Sequence, residues 1–291
     1  MISIAMATYN GAKYIGEQID SILYQTVRDF ELIICDDRST DDTWKTLMDY
    51  QNRDKRIHIY KNEKNLGFRK NFEKAISLCK GDYIALSDQD DIWTTNHLEI
   101  LLSIIDDKML ACGNTELIDA QGNKIGMTLK EMEAFDRIPK NDLERAYSVF
   151  FFRNPLQGAS LLMRKEIVSL ALPIAEGVLY HDTWFSMVSC FYGGGVYTDQ
   201  IIGYYRMHGK NVTGNRIKRR SRVRCFIAQL LMESYLLDRK ELIMGLERLG
   251  IVSPTFLYQA QKYVNRANTQ WGRILNSLFR LKHYKVIYNC N

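Results

Sequence analysis

The feature that most restricts the fold is an alternation of short apolar runs with helical patterns, joined by brief links, through the first third of this 291-residue chain. Ile2-Ser3-Ile4-Ala5-Met6-Ala7 reads as a strand, and Ile15, Ile19, Ile22 and Leu23 recur at helical spacing after it. Phe30-Glu31-Leu32-Ile33-Ile34-Cys35 is a second strand, a helix follows to about Tyr50, and Ile57-His58-Ile59-Tyr60 is a third strand. A helix then runs to Leu78, and Tyr83-Ile84-Ala85, opened by a turn at Gly81, is a fourth strand. Parallel strands need a crossover connection, so the alternation predicts an α/β fold with a mostly parallel sheet flanked by helices. Ligands of such sheets bind outside the carboxyl ends of the strands. The turns at residues 8–11, 36–43 and 87–91 all fall at that edge and are expected to converge on one crevice.

The fourth strand leaves into Leu86-Ser87-Asp88-Gln89-Asp90-Asp91-Ile92-Trp93. Three carboxylates within four residues repel one another, and no nearby run of Lys or Arg neutralises them, so a cation is expected between them. Mg²⁺ or Mn²⁺ fits best, because it takes oxygens from one or two carboxylates and from substrate phosphates. The plain alternative is a polar loop capping a helix that starts near Thr94. After the second strand, Asp36 and Asp37 offer carboxylates able to accept the N3–H of uracil or thymine and a ribose hydroxyl. Asp37 is the candidate for the base, whereas Asp36 equally suits a helix cap. Gly67-Phe68-Arg69-Lys70-Asn71 supplies a flexible turn with cations suited to a diphosphate.

Ala7-Thr8-Tyr9-Asn10, Asp36-Asp37-Arg38-Ser39-Thr40-Asp41, Asn65-Leu66-Gly67, Gly81-Asp82-Tyr83 and Ser87-Asp88-Gln89-Asp90-Asp91-Ile92-Trp93, in this order, resemble the motifs of glycosyltransferase family 2. The resemblance covers residues 1 to about 215. It implies a GT-A fold, a nucleoside-diphosphate sugar donor and inversion at the anomeric carbon, with a nucleotide-sugar half over about 1–113 and an acceptor half over about 114–215. Donor contacts would come from Ala7, Thr8, Tyr9, Asn10, Asp37, Asn65, Gly67, Arg69, Asp88, Gln89 and Arg206. Asp88, Asp90 and His208 would hold the metal. A sugar-phosphate nucleotidyltransferase would carry a Gly-rich basic loop where Thr8-Tyr9-Asn10-Gly11-Ala12 stands, and a haloacid-type phosphatase would carry Asp-x-Asp directly after the first strand. The remaining alternative is a non-catalytic nucleotide-sugar or lipid-binding protein on the same fold.

Beyond Trp93 a helix is expected to about Asp106, then a strand through Met109-Leu110-Ala111-Cys112-Gly113 and a hairpin turning at Asp119-Ala120-Gln121-Gly122-Asn123. Residues 128–145 are polar and mixed, a place for an acceptor loop. Asn154-Pro155-Leu156-Gln157-Gly158-Ala159-Ser160 leads into the strand Leu161-Leu162-Met163, and by the family's pattern Gln157 and Gly158 face the crevice. Inverting transfer needs a base to take the acceptor hydroxyl's proton, and a carboxylate in a partly dry pocket can serve. In Leu179-Tyr180-His181-Asp182-Thr183-Trp184-Phe185, the position matching the family's base is Asp182. His181, where an acidic neighbour is commoner, is read as a positioning or structural residue rather than a second base, and His181 and Trp184 join Gln157 and Gly158 as the acceptor pocket. Tyr205-Arg206-Met207-His208-Gly209-Lys210-Asn211-Val212 resembles the segment closing the catalytic domain in bacterial members, many of them rhamnosyltransferases. His208 there completes the metal shell or touches the diphosphate.

Residues 216–291 carry 15 Lys and Arg against 4 Asp and Glu, whereas residues 1–215 carry 24 against 30. The basic stretch Arg216-Ile217-Lys218-Arg219-Arg220-Ser221-Arg222-Val223-Arg224 opens a helical extension with Phe226, Leu230, Leu231, Tyr235, Trp271, Leu275, Leu278, Phe279 and Tyr284. Such a basic amphipathic extension suits either an anionic membrane surface or a helical bundle packed on the catalytic domain with its charges in solvent, and no nucleic-acid-binding fold accompanies it. The membrane surface suits a saccharide acceptor linked to polyprenyl diphosphate, in the building of a surface polysaccharide. Six scattered cysteines show no metal spacing and read as reduced thiols. With no signal peptide before Ile2 and no apolar run of about 18 residues, the expected location is the cytoplasm, peripheral to the inner face of the membrane. The donor base, uracil or thymine, and the sugar, rhamnose among the candidates, stay open.

Overall fold

In the computed structural model of the protein, residues 1–133, 139, 141–152, 154–209, 211 and 233–267 are described. Among them nine strands share one sheet. Its first half follows directly from the alternation in the chain. Strands β1 (Ile2–Thr8), β2 (Phe30–Asp36), β3 (Ile57–Lys61) and β4 (Tyr83–Ser87) lie in the order β3-β2-β1-β4, all parallel, with Ile4 between Leu32 and Ala85. Helices α1 (Ile15–Leu23), α2 (Thr43–Arg53) and α3 (Phe68–Ser77) supply the crossovers. Strands covered on both faces favour apolar residues at nearly every position, which is why β1 and β2 read as apolar runs broken only near their starts by Ser3 and Glu31, whose side chains hydrogen-bond each other at 2.5 Å, and by the polar residues Thr8 and Asp36 at their ends.

The second half departs from parallel pairing. Strand β5 (Ile92–Trp93) precedes α4 (His97–Ile105), and β6 (Leu110–Ile118) turns back through β7 (Lys124–Thr128). Two short helices, α5 (Leu129–Met132) and α6 (Asp142–Tyr147), lead by a π-helical turn and a 3₁₀ turn at Gly158–Ser160 to β8 (Leu161–Arg164). Helices α7 (Lys165–Ala171) and α8 (His181–Phe191) precede the long β9 (Gly195–Arg206). The sheet continues β4-β8-β6-β9-β5, with β7 on β6. The 3₁₀ turn feeds β8 straight into the sheet without a crossover, so β8 runs antiparallel to both β4 and β6. Two reversals leave β6 parallel to β4, and β9 parallel to β6. Both therefore point their carboxyl ends toward the edge used by β1, β2 and β4. The helix expected from Thr94 begins at His97, because Ile92 and Trp93 are drawn into pairing with Tyr204 and Gly203.

Alternation along β1 divides the core into two layers. Ile4 and Met6 join Ile15, Ile19, Leu47, Leu98 and Leu101, while Ala5 joins Phe72, Phe150, Leu161 and Trp184 on the opposite face. Two further helices, α9 (Glu233–Leu249) and α10 (Pro254–Ala267), contribute Leu242, Leu246, Phe256 and Ala260 to the second layer. A Cβ on Gly245 would stand 2.5 Å from Ala175 Cβ and 2.8 Å from the Trp184 ring, so α9 lies directly on the segment leading into α8. The described part of the C-terminal extension thus shares the core of the body. The basic run at 216–224 and Phe226, Leu230, Leu231, Trp271, Leu275, Leu278, Phe279 and Tyr284 lie outside the described residues, as do the side chain of Tyr235 and most of the 134–140 portion of the expected acceptor loop. Cys35, Cys79, Cys112 and Cys190 are free thiols. No helix among the described residues is long and apolar enough to cross a membrane.

Candidate active site

The turns after β1, β2 and β4 meet, and side-chain hydrogen bonds bind them together. Gln89 crosses from the acidic loop: its Oε1 accepts from Thr8 Oγ1 at 2.6 Å and Tyr9 N at 2.9 Å, and its Nε2 donates to Tyr9 O at 3.1 Å. Asn10, in the left-handed region at φ 49°, accepts the Thr40 N–H at 2.8 Å, and its own N–H donates to Ser39 Oγ at 2.9 Å. Thr8 is buried, Ala7 is partly covered, and Tyr9 is 47% exposed. Of the residues expected to hold the donor, Thr8 and Gln89 thus bind each other, and Asn10 ties the same turn to the one after β2.

Asp36 accepts the Ser39 N–H at 3.0 Å and the Ser39 hydroxyl at 2.5 Å, an Asx-type turn rather than a cap on α2, which begins at Thr43. Asp37, the candidate for the base, is gripped by the turn after β3. It is 2% exposed, and its carboxylate accepts from Leu66 N (2.7 Å), Gly67 N (2.8 Å) and Asn62 Nδ2 (2.8 Å). It fixes the Asn65-Leu66-Gly67 turn, in which Asn65 Nδ2 donates to Asp37 O and Gly67 takes φ +80° to open α3. Arg69, expected at the diphosphate, donates to Ala175 O at 3.2 Å.

The acidic loop is anchored from the far end of the chain. Arg206, also expected at the phosphates, is 2% exposed: its guanidinium donates to Asp90 O at 2.8 Å and Glu17 at 2.5 Å and lies over the Tyr14 ring, and its N–H donates to Asp91 at 2.9 Å. These bonds make Arg206 an anchor of the acidic loop. Two residues later His208 Nε2 meets Asp90 Oδ2 at 2.7 Å, with its ring stacked on Tyr14 at 5.1 Å. Nothing local in the sequence signals Tyr14 or Glu17, since both act across nearly 190 residues.

Charge accumulates here. Burial, then the charges of Asp90 and Asp182, pushes the Asp88 carboxyl up to about 7. Burial, then Asp90 and Asp88, holds Asp91 well above the ordinary carboxylate range. Of the set expected to hold the metal, Asp90 and His208 are joined directly and Asp88 is near enough to feel the charge of Asp90, while among the described residues no three His, Cys, Asp or Glu side chains gather as a metal-holding group.

Asp182 opens α8 within electrostatic reach of Asp88. Burial raises its carboxyl to about 6, while N–H groups of Thr183 (2.6 Å) and Gly158 (3.2 Å) oppose the rise and orient it. Gly158 packs closely on both: a Cβ there would stand 3.2 Å from His181 Nε2 and 3.3 Å from Asp182 Cβ, so these side chains would have to give by a few tenths of an ångström. His181 is buried against Phe72 with ring centroids 4.1 Å apart, and burial pushes it down to about 3, so it is neutral. Neither of its ring nitrogens has a partner among the described residues. Trp184 does not line a pocket. It is fully buried, donates Nε1–H to Ala171 O at 2.8 Å and packs under α9. Its place one helical turn beyond Tyr180 points it into the core.

Comparison with known proteins gives a consistent result. The family described as Glycosyl transferase family 2 matches residues 3–167. An uncharacterized glycosyltransferase of Methanocaldococcus jannaschii is 29% identical over 227 residues, 75% of each chain. The UDP-Glc:alpha-D-GlcNAc-diphosphoundecaprenol beta-1,3-glucosyltransferase WfgD of Escherichia coli is 28% identical over 221 residues, 75% of this chain and 81% of that one. Among solved structures, S. aureus TarS in complex with UDP superposes with a TM-score of 0.58 at 18% identity, over 97% of this chain and 91% of that one. The mannosyltransferase PcManGT from Pyrobaculum calidifontis, in complex with GDP-Man and Mn²⁺, superposes with a TM-score of 0.59 at 14% identity, over 98% and 75%.

Proposed function

The chain belongs to glycosyl transferase family 2, and from that premise we propose that it moves a sugar from a nucleoside-diphosphate donor to a hydroxyl of a saccharide acceptor, inverting the anomeric carbon, with Asp182 as the base. The fold is the GT-A type of its structural neighbours. The observation that carries the reading is the joint placement of Asp182 and the acidic loop, near enough for the charge of one to raise the other.

The donor's diphosphate would lie along the loop after β4, and the anomeric carbon between that loop and Asp182. Raised to about 6, Asp182 is mostly ionised at neutral pH and still a useful proton acceptor, the condition general-base catalysis asks for. It takes the acceptor hydroxyl's proton as that oxygen bonds to the anomeric carbon and the bond to the diphosphate breaks. The Gly158 and Thr183 N–H groups hold the carboxylate in place through this step. Neutral His181 adds no charge that would depress the base. Asp90 and His208 suit a divalent ion whose other ligands are phosphate oxygens and water, in keeping with the uncompensated acidity around Asp88. When bound, Mg²⁺ or Mn²⁺ would supply positive charge against the leaving diphosphate. Arg206 holds the loop through Asp90 O.

For the donor, the name of WfgD favours a UDP-sugar over dTDP-rhamnose, and for the acceptor it favours a saccharide linked to polyprenyl diphosphate, hence work at a membrane face in polysaccharide assembly. The test is a screen of UDP- and dTDP-sugars with Mg²⁺ or Mn²⁺, comparing the wild-type chain with Asp90→Ala and Asp182→Asn. Release of nucleoside diphosphate by the wild type and its loss in both variants is expected. Unchanged turnover in both would overturn the assignment. Donor binding that never leads to release would favour a non-catalytic sugar-binding protein.

A further inference from the structure

Resting on the transferase reading, we propose that Tyr14 is a positioning residue of the ion site: the face of its ring sets the plane of the His208 imidazole, and so governs how tightly Asp90 and His208 hold a divalent cation.

The start of α1 presents this ring on a fixed support. Tyr14 leads into the helix, its N–H donating to Gly11 O at 3.0 Å, and Glu17 follows in the first turn. Residues three apart share one face of a helix, so Tyr14 and Glu17 are offered together. The helix is tied to the strand that carries the acidic loop, because Gln18, fully buried, donates Nε2–H to Ser87 Oγ at 2.7 Å at the end of β4. A site supported from a packed helix keeps its geometry better than one supported from a free loop.

Both supports of Asp90 rest on the one ring. The His208 imidazole stacks on Tyr14 with centroids 5.1 Å apart and planes 26° from parallel, while its Nε2 meets Asp90 Oδ2 at 2.7 Å. The guanidinium of Arg206 lies 4.8 Å from the same centroid and donates to Asp90 O and Glu17. Side chain and backbone of Asp90 are thus held by two groups that share Tyr14 as their platform.

The ring does what the hydrogen bonds leave undone. Asn211 places the backbone of His208: its Oδ1 accepts the His208 N–H at 2.5 Å, and its Nδ2 donates to Arg206 O at 2.8 Å. That fixes the main chain, yet an imidazole still turns about its own side-chain bonds. The contact between Nε2 and Asp90 fixes one atom rather than a plane. A stacked aromatic face restricts the remaining swing. Outer groups that orient a metal-binding histidine are worth about 10- to 100-fold in metal affinity. Because the contact is through the ring face, a phenyl ring should replace the phenol and an aliphatic side chain should not.

The test is Mn²⁺ binding to the full chain, read by electron paramagnetic resonance, for the wild type, Tyr14→Phe and Tyr14→Leu. A metal-free thermal melt of each confirms folding, and Tyr14→Met carries the same expectations should Tyr14→Leu not fold. The Kd for Mn²⁺ should rise at least about tenfold in Tyr14→Leu and stay within about twofold of wild type in Tyr14→Phe. The bound ion should show the modulation of a coordinated imidazole nitrogen in the wild type and Tyr14→Phe, and that signature should weaken in Tyr14→Leu, which a loss of stability alone would not cause. Wild-type affinity and signature in the aliphatic variant, Tyr14→Phe as weak as Tyr14→Leu, or no Mn²⁺ binding by the wild type would overturn the proposal. Donor turnover by the wild type is measured separately. Mn²⁺ affinity that depends on Tyr14 with no turnover would refute the transferase reading and leave the positioning role standing, whereas turnover with Mn²⁺ affinity indifferent to Tyr14→Leu would refute the positioning role alone.

Discussion

The base assignment makes a quantitative demand on pH. Burial lifts Asp182 from the ordinary 3.8 to about 6, opposed by the hydrogen bonds from Thr183 and Gly158. The displacement corresponds to about 3 kcal/mol of preference for the protonated form. Because protonation removes the base, kcat/KM should fall as pH drops: the ionised fraction is about nine-tenths at pH 7 and about one-tenth at pH 5, a loss of roughly tenfold. An unperturbed aspartate would lose almost nothing over that interval. Asp88, lifted to about 7 by burial and by its acidic neighbours, can add a second limb. Excess divalent cation should move that limb to lower pH, because added positive charge favours its ionised form. The assay is nucleoside-diphosphate release at saturating Mg²⁺ or Mn²⁺ from pH 4.5 to 8.5, for the wild type and Asp182→Asn. The variant should lose about 10²–10⁴ in kcat/KM and show no limb near pH 6 in its residual activity. A limb that survives the substitution at the same pH and size would refute the reasoning.

Three other outcomes are expected. If Asp90 and His208 hold the ion, Mn²⁺ at 100 times its Kd should stabilise the wild type by about 2.7 kcal/mol, a rise of roughly 5 °C or more in Tm, absent in Asp90→Asn and His208→Ala; an equal rise in those variants would place the ion elsewhere. Gly158→Ala pushes a methyl group to 3.2 Å from His181 and 3.3 Å from Asp182, so kcat should fall about tenfold to a hundredfold with little change in donor KM, and wild-type kcat would show that this approach is not what sets the base. Because α9 and α10 belong to the core, the basic stretch is best tested by replacing Arg216, Lys218, Arg219, Arg220, Arg222 and Arg224 with Gln rather than by truncation. Co-sedimentation with anionic vesicles should drop sharply, at about 1 kcal/mol per lost charge, and equal recovery would retire the membrane surface as a partner of this stretch.

Much of the fold was legible because local pattern and tertiary outcome agree. The parallel half of the sheet, with β1, β2, β3 and β4 near their expected places, follows from apolar runs separated by crossover helices, a pattern with few foldable solutions. The same pattern sets the turns after β1, β2 and β4 at one edge, where hydrogen bonds through Gln89 and Asn10 join them. Pairing between distant segments was not legible. The antiparallel insertion of β8, the drawing of Ile92 and Trp93 into the sheet, and the burial of α9 against Trp184 depend on contacts between residues some 80 to 110 positions apart or on helix faces whose partners lie elsewhere.

Residue types, then, announced which chemistry the chain could carry: acids after β4, a second acid opening α8, a histidine after β9. Which polar groups meet a ligand and which merely hold the frame was a tertiary decision. Asp37, Arg69 and Arg206 have the right types for a nucleotide, and the packed chain gives each an internal partner the sequence did not show: a turn, a carbonyl and a loop. A sequence lists donors and acceptors. Only the packed structure determines which of them already have partners, and a buried group that is already paired gains little from a ligand.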